Sequence, residues 1–365
     1  MNHRHTLIWV AVLGLVSGVS VQADEGGLPA DPQKRQQILQ RFDKDGDGKL
    51  SPEEQQAARK EWQEKRGGNK AKPPAVPPGV KAMRDVEYAR VDGKPLLLDL
   101  YLPAKAAKPM PVIAWIHGGA WRAGSKERCP ALPMSAQGYA VASINYRLTG
   151  EATFPAQIYD SKGAIRWMRA HAKEYGLDPD RIGVWGGSAG GHLVALLGTS
   201  GGVREVEGDV GDNLGFSSRV QAVAVFCGPS SFSIEDLKGR EDTPEGKTPE
   251  TIAKLLGGTI QEKTELARLA SPAAHVTPDD PPFLIVHGAN DPLVPVRQAR
   301  ILDAALKKAS VEAVLHIDPE AGHGVMNAIT IKLAEEFFDK HLKGKPRSPS
   351  SCAAQPLSTS LPEGK

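Results

Sequence analysis

The chain has 365 residues, 40% hydrophobic and 24% charged, which suits a globular fold and excludes a low-complexity or fibrous one. Its 45 basic and 43 acidic side chains leave a formal net charge of +2, so charge gives no reason to expect nucleic acid or an anionic membrane as partner. Three cysteines, Cys129, Cys227 and Cys352, form neither a disulfide framework nor a zinc spacing. A single Cys129–Cys227 bridge and a buried free Cys227 thiol are both compatible with their positions.

Residues 1–23 have the parts of a secretory signal: Arg4 with His3 and His5, an apolar run from Leu7 to Val19, and Val21-Gln22-Ala23 before the cleavage point. The apolar run is shorter than the roughly 20 residues that span a bilayer, so export to the periplasm or the extracellular space is expected, without a membrane span.

Residues 24–66 are polar and helix-prone around FDKDGDGKLSPEE, residues 42–54. Against a twelve-residue calcium loop, Asp43, Asp45 and Asp47 fall at positions one, three and five, and Gly48 at the sharp turn. Lys49 offers its backbone carbonyl, Leu50 takes the apolar position, Ser51 stands at nine, and Glu54 arrives at twelve as the bidentate ligand. The segment resembles an EF-hand, present once and without a second copy to pair with; an acidic surface turn is the alternative. The resemblance implies Ca2+ as a structural clip, because extracellular modules of this kind bind at roughly 10⁻⁴ to 10⁻³ M and stay filled.

Proline and glycine then crowd residues 67–80, which marks a linker. From 81 to 343, short apolar runs alternate with amphipathic stretches. The runs LLLDLYL (96–102), PVIAWIHG (111–118), YAVASINYR (139–147), RIGVWGGS (181–188), VQAVAVFCG (220–228), PPFLIVHG (281–288) and VEAVLHID (311–318) read as strands. Helical patterns cover 155–176, 191–198, 296–309 and 326–343. Strands covered on both faces and alternating with helices predict an α/β fold with a doubly wound, mostly parallel sheet. Residues 229–280 form a polar insert expected over the carboxyl edge of that sheet, as a cap or lid, and the tail 344–365 is expected to be disordered.

Gly186-Gly187-Ser188-Ala189-Gly190 lies between the strand RIGVW and the following helix. Small neighbours permit a tight turn that lifts the Ser188 hydroxyl above the sheet, as a nucleophile requires. A serine nucleophile needs a base, and His323 in the loop Ala321-Gly322-His323-Gly324 is best placed to reach it. His192 sits on the helix of Ser188 itself, His117 and His287 close strands as scaffolding, and His171, His275, His316 and His341 read as structural. The base needs a carboxylate to orient it, and Asp291 follows PPFLIVHG, with Asp318 as the weaker alternative. The backbone N–H groups of Gly118, Gly119 and Ala189 are the candidate oxyanion hole, and Trp121 is expected to wall the cleft, with core packing as the alternative.

HGGAW, NYRL (145–148), FPAQIYD (154–160), GGSAGGH and HGAND together resemble α/β-hydrolase esterases of the bacterial feruloyl-esterase-like and hormone-sensitive-lipase-like branch, over about residues 84–343. The resemblance implies ester hydrolysis through an acyl-serine, with no cofactor for catalysis. It also implies a structural role for Asp160; Ala120 departs from it, standing where many relatives carry a third glycine. Short acyl esters, acetyl or feruloyl groups on polysaccharide among them, are the expected substrates. A serine exopeptidase or amidase of the same fold and a non-catalytic calcium-dependent binding protein are the rival functions. The sequence leaves the oligomeric state open.

Overall fold

The computed structural model describes residues 36, 39–44, 46–48, 51, 54, 75–107, 109–240 and 246–344. The signal and tail expectations, and those on Asp45, Lys49, Leu50 and Cys352, lie outside the described residues. Inter-residue contacts divide the chain into two units, Met1–Pro73 and Pro74–Lys365, with the boundary inside the proline-rich linker. In the first unit Asp43 N donates to Leu39 O at 2.9 Å, the bond of a closing helical turn, just where the acidic loop begins.

The second unit begins with the strands β1 (Val80–Val91), β2 (Lys94–Pro103), β3 (Met110–Ile116) and β4 (Ala140–Ile144). Helix α1 (Ala156–Ala170), β5 (Leu177–Gly187), α2 (Ala189–Thr199) and β6 (Ala222–Phe226) follow. Then come α3 (Glu250–Leu256), α4 (Thr264–Leu269), β7 (Phe283–Gly288), α5 (Arg297–Lys308), β8 (Ala313–Asp318) and α6 (Ala328–Lys343). The strands form one eight-stranded sheet in the order β1-β2-β4-β3-β5-β6-β7-β8. β2 is antiparallel to both β1 and β4, and every pairing from β4 through β3 to β8 is parallel. This is the α/β-hydrolase arrangement.

All seven apolar runs became strands; β3, β4, β6 and β7, inside the sheet, are buried at every position, whereas β8 at its edge is half-buried throughout. β1 has no counterpart among those runs. Its sequence VKAMRDVEYARV interleaves Arg84, Asp85, Glu87 and Arg90 with apolar residues, as suits an edge strand, and the charges conceal it from a search for apolar runs. Two register shifts, between Met83 and Val86 and between Glu87 and Ala89, break its alternation further.

One face of the sheet packs against α1, α2 and α5, the other against α6 and the 3₁₀ turn Leu132–Gln137. Trp185 anchors the second face, fully buried, its ring 5.3 Å from Phe226 and 6.3 Å from Phe338. Each such buried side chain contributes about 1.5–3 kcal/mol to folding.

The register carries the functional geometry. Ile116 pairs with Gly186, Gly187 with Phe226, and Phe226 with Val286. The residues that next leave the sheet, His117, Ser188, Cys227 and those after Gly288, therefore emerge side by side along one carboxyl edge. In open α/β sheets this edge is where ligands bind. The insert 229–280 contains α3 and α4 and packs against the same edge: Ala270 O accepts from His192, and Phe232 meets Trp121 edge to face.

Candidate active site

Ser188 stands between β5 and α2 with φ 56° and ψ −121°, a backbone conformation that costs a non-glycine residue about 1–3 kcal/mol. Its N–H is tied to Phe226 O at 2.8 Å, which holds the turn onto β6. A Cβ on Gly190 would lie 2.0 Å from Ile116 O, so only glycine lets α2 start this close to β3. The result exposes the serine hydroxyl at the amino end of a helix.

His323 meets it from the loop between β8 and α6. Its Nε2 is 2.9 Å from Ser188 Oγ and its Nδ1 is 2.7 Å from Asp291 Oδ2. An ionised carboxylate only accepts, so Nδ1–H donates to Asp291 and Nε2 is left to accept from the serine hydroxyl. Asp291 Oδ1 takes two more donors, the backbone N–H groups of Leu293 and Val294, both at 2.9 Å. Burial by itself raises the Asp291 carboxyl, but the hydrogen bonds from His287 and His323 outweigh it and hold the group well below the usual carboxylate range. Asp291 therefore stays ionised at every pH where the protein would work. Asp318, the alternative, faces elsewhere: its Oδ1 caps the backbone N–H groups of Glu320 and Ala321.

The loop after β3 lies against this serine. A Cβ on Gly118 would sit 3.2 Å from Ser188 Cβ, so Gly118 passes directly beside the nucleophilic turn. Gly119, Ala120 and Trp121 all have positive φ, at 120°, 52° and 56°, which curls the chain back over the edge. Tyr146 fixes the base of the loop: its hydroxyl donates to His117 O at 3.0 Å, and the two rings stack at 4.4 Å. Burial keeps His117 neutral, its pKa lowered to about 4. Gly118 therefore runs beside Ser188, and Ala189 follows Ser188 directly in the chain; Ala189 is buried, Gly118 half-buried and Gly119 exposed.

Trp121 does not wall that cleft. Its side chain is 3% exposed, packs edge-on against His192 and Phe232, and donates from Nε1 to His192 Nδ1 at 3.2 Å, as in the core-packing alternative. Asp160 is fully buried and grips Arg147 through both carboxylate oxygens, a structural pairing. A second buried charge pair pins the loop farther along: Lys126 Nζ lies 2.7 Å from Asp99 Oδ1, with the exposed Asp85 carboxylate 2.8 Å away as well.

Of the two readings of Cys227, the buried free thiol is the one found, and no Cys129–Cys227 bridge forms. Cys227 sits at φ 50° beside the hydrogen-bond chain, with Sγ 3.4 Å from His323 O. Cys129 and Cys227 are both free and buried. Burial pushes the Cys227 thiol far up, so it is protonated. Cys227, Asp291 and His323 offer ligand atoms within 4.8 Å of one another, the one such grouping among the described residues, though Asp291 and His323 are already engaged with each other.

In the first unit Asp43 Oδ1 accepts from Gly46 N at 2.7 Å and Oδ2 from Gly48 N at 2.9 Å. Glu54, 7% exposed, returns to the same loop: Oε1 accepts from Lys44 N at 2.6 Å, and Oε2 from Ser51 N and Oγ at 2.9 and 2.8 Å. Hard carboxylate oxygens from both ends of one short loop suit Ca2+, so the residues present fit the metal.

A hydroxyl that can lose its proton to an imidazole, with backbone donors beside it, is equipped for acyl transfer. With the eight-stranded sheet, this makes the protein an α/β-hydrolase of the esterase class. Residues 98–306 match the BD-FAE family, to which the chain belongs. Esterase LipQ of Mycobacterium tuberculosis is 34% identical over 258 residues, covering 68% of this chain and 58% of LipQ. The probable carboxylic ester hydrolase LipM from the same organism is 33% identical over 336 residues, 82% of this chain and 73% of LipM. Among solved structures, a truncated carbohydrate esterase from gut microbiota superposes with a TM-score of 0.68 at 32% identity, covering 74% of this chain and all of that one. Butyrate-bound Est2 of Thermogutta terrifontis gives 0.61 at 30% identity, covering 75% of this chain and 99% of its own. No helix among the described residues is long and apolar enough to cross a membrane.

Proposed function

We propose that the protein is an exported serine esterase that removes short acyl groups, acetyl or feruloyl among them, from esterified carbohydrate. The observation that carries the reading is the unbroken chain from Ser188 Oγ through His323 to Asp291, at 2.9 and 2.7 Å. Ser188 attacks the ester carbonyl as His323 Nε2 takes its proton; the N–H groups of Gly119 and Ala189, with Gly118 adjacent, hold the oxyanion. His323 then protonates the leaving alcohol, and water activated by the same ring releases the acid. No cofactor enters these steps.

The likeness to the butyrate-bound esterase and to the carbohydrate esterase supports a short acyl group on a polar alcohol. Ca2+ held by Asp43, Asp45, Asp47, Lys49 and Glu54 serves as a structural clip. The signal-like residues 1–23 support export.

Purified protein should hydrolyse p-nitrophenyl acetate and butyrate and release acetate from acetylated xylan, with rates falling as the acyl chain lengthens. Ser188→Ala should abolish turnover and fluorophosphonate labelling. Preference for long acyl chains would sink the substrate reading. Cleavage of aminoacyl amides in place of esters would favour a peptidase, and an unlabelled wild type a binding protein.

A further inference from the structure

His287, the penultimate residue of β7, is fully buried and stands four residues before Asp291. Its Nε2 lies 2.8 Å from Val294 O and 3.3 Å from Asp291 Oδ2. A carbonyl oxygen only accepts, so Nε2 carries the proton and shares it between the carbonyl, its nearer partner, and the carboxylate. Nδ1 of the same ring is buried with no hydrogen-bond partner among the described residues. An apolar side chain of similar size would avoid that unsatisfied atom, so whatever the ring contributes here it contributes through Nε2.

The surroundings show what that is. Asp291 Oδ2 lies between two imidazoles, with His323 Nδ1 at 2.7 Å on one side and His287 Nε2 at 3.3 Å on the other. Oδ1 is held by Leu293 N and Val294 N, and Val294 O returns to His287, so one ring closes the 291–294 turn onto β7. The other titratable group against Asp291 and His323 is the Cys227 thiol, kept neutral by burial.

We propose that His287 is a positioning residue for ester hydrolysis: it holds Asp291 so that Oδ2 faces His323, and by donating to that carboxylate it moderates its basicity. The inference rests on the Ser188–His323–Asp291 reading above. Without the His287 N–H, Oδ2 keeps one side-chain donor and becomes more basic. It then stabilises the His323 imidazolium more strongly, which moves the acid limb of the rate profile to higher pH. Catalysis through a neutral His323 would be lost earlier on acidification, and Val294 O would be left without its partner, loosening the turn.

The test compares His287→Met, which removes the donor, with His287→Gln, whose amide nitrogen reaches toward the position of Nε2. Kinetics of p-nitrophenyl acetate hydrolysis across pH, with thermal melts, are run beside wild type and Ser188→Ala. In the Met variant kcat should fall about ten- to hundredfold with little change in KM. The acid limb of kcat/KM should rise by about half a pH unit, and Gln should restore most of both. An unmoved acid limb in a folded Met variant, or Gln as impaired as Met in both measures, overturns the proposal. If Met does not fold, imidazole ¹⁵N spectra of the wild type decide: the His287 proton should sit on Nε2, and a proton on Nδ1 alone overturns the proposal. Wild type without Ser188-dependent hydrolysis would instead remove the reading of the whole site, a failure distinct from an unmoved limb.

Discussion

Trp121 donates its indole N–H to His192 Nδ1 at 3.2 Å, and His192 Nε2–H donates in turn to Ala270 O at 2.7 Å. One buried ring thereby ties the oxyanion loop to the helix behind the nucleophile and to the insert 229–280. Truncating it should be felt in all three places. His192→Leu should cost about 2–3 kcal/mol through the unpaired Trp121 N–H and Ala270 carbonyl. Urea melts would measure the loss, and a fall in kcat/KM should accompany it.

The same burial sets an acid limit on stability. Burial lowers the pKa of both His117 and His192 to about 4, against 6.5 for the free side chain. A histidine depressed in the folded state contributes its stability above the unfolded pKa. Below about pH 6.5 the unfolded chain takes up a proton that the native site refuses, so stability falls with pH down to about 4, by about 3 kcal/mol for each ring. Melts between pH 4 and 8 should show this decline, shallower in His192→Leu than in wild type.

Asp291→Asn keeps the shape of the site while removing the charge that fixes the His323 tautomer. It should lower kcat about a thousandfold or more, with some loss of stability because the ionised carboxylate is held by four donors in the folded state. Asp318→Asn should lower it far less, since Asp318 caps backbone N–H groups and does not touch His323. Equal losses in steady-state kinetics would overturn the assignment of Asp291.

Ala120 sits at φ 52° where glycine would be unstrained. Ala120→Gly should relieve about 1 kcal/mol of left-handed strain, partly offset by the greater freedom of the unfolded chain. The opposite change at Gly119, whose Cβ would lie 2.1 Å from Ala123 O, should displace the loop and lower kcat/KM about a hundredfold. Paired kinetics and thermal melts of the two variants would check both signs.

For the acidic loop, chelation should lower the melting temperature and leave turnover at mild temperature almost unchanged. With affinity typical of extracellular modules, about 5 mM Ca2+ should add about 1–2 kcal/mol of stability. Glu54→Gln should erase that response in calorimetry. Reversible switching of turnover by Ca2+ would contradict a purely structural clip.

Much of this protein is written in short stretches of its sequence. The seven strands other than β1 declared themselves as apolar runs; inside the sheet, burial on two faces demands apolar residues at nearly every position. Ser188 and the oxyanion loop declared themselves because a tight strand-to-helix turn and a close backbone approach demand glycine and alanine nearby. Such signals arise from neighbours in the chain. Other features depend on residues far apart: Ser188 and His323 are separated by 135 positions and meet only because β5 to β8 are laid parallel in fixed register. Both Asp291 and Asp318 follow strands at the same edge, and only the fold of the 291–294 turn decided which carboxylate faces the imidazole. Trp121 turned inward because a positive φ at Ala120 and Trp121 aims its ring at His192, a direction that no local pattern encodes. Local chemistry thus determined which residue types could react, and long-range register and turn geometry decided which of them touch.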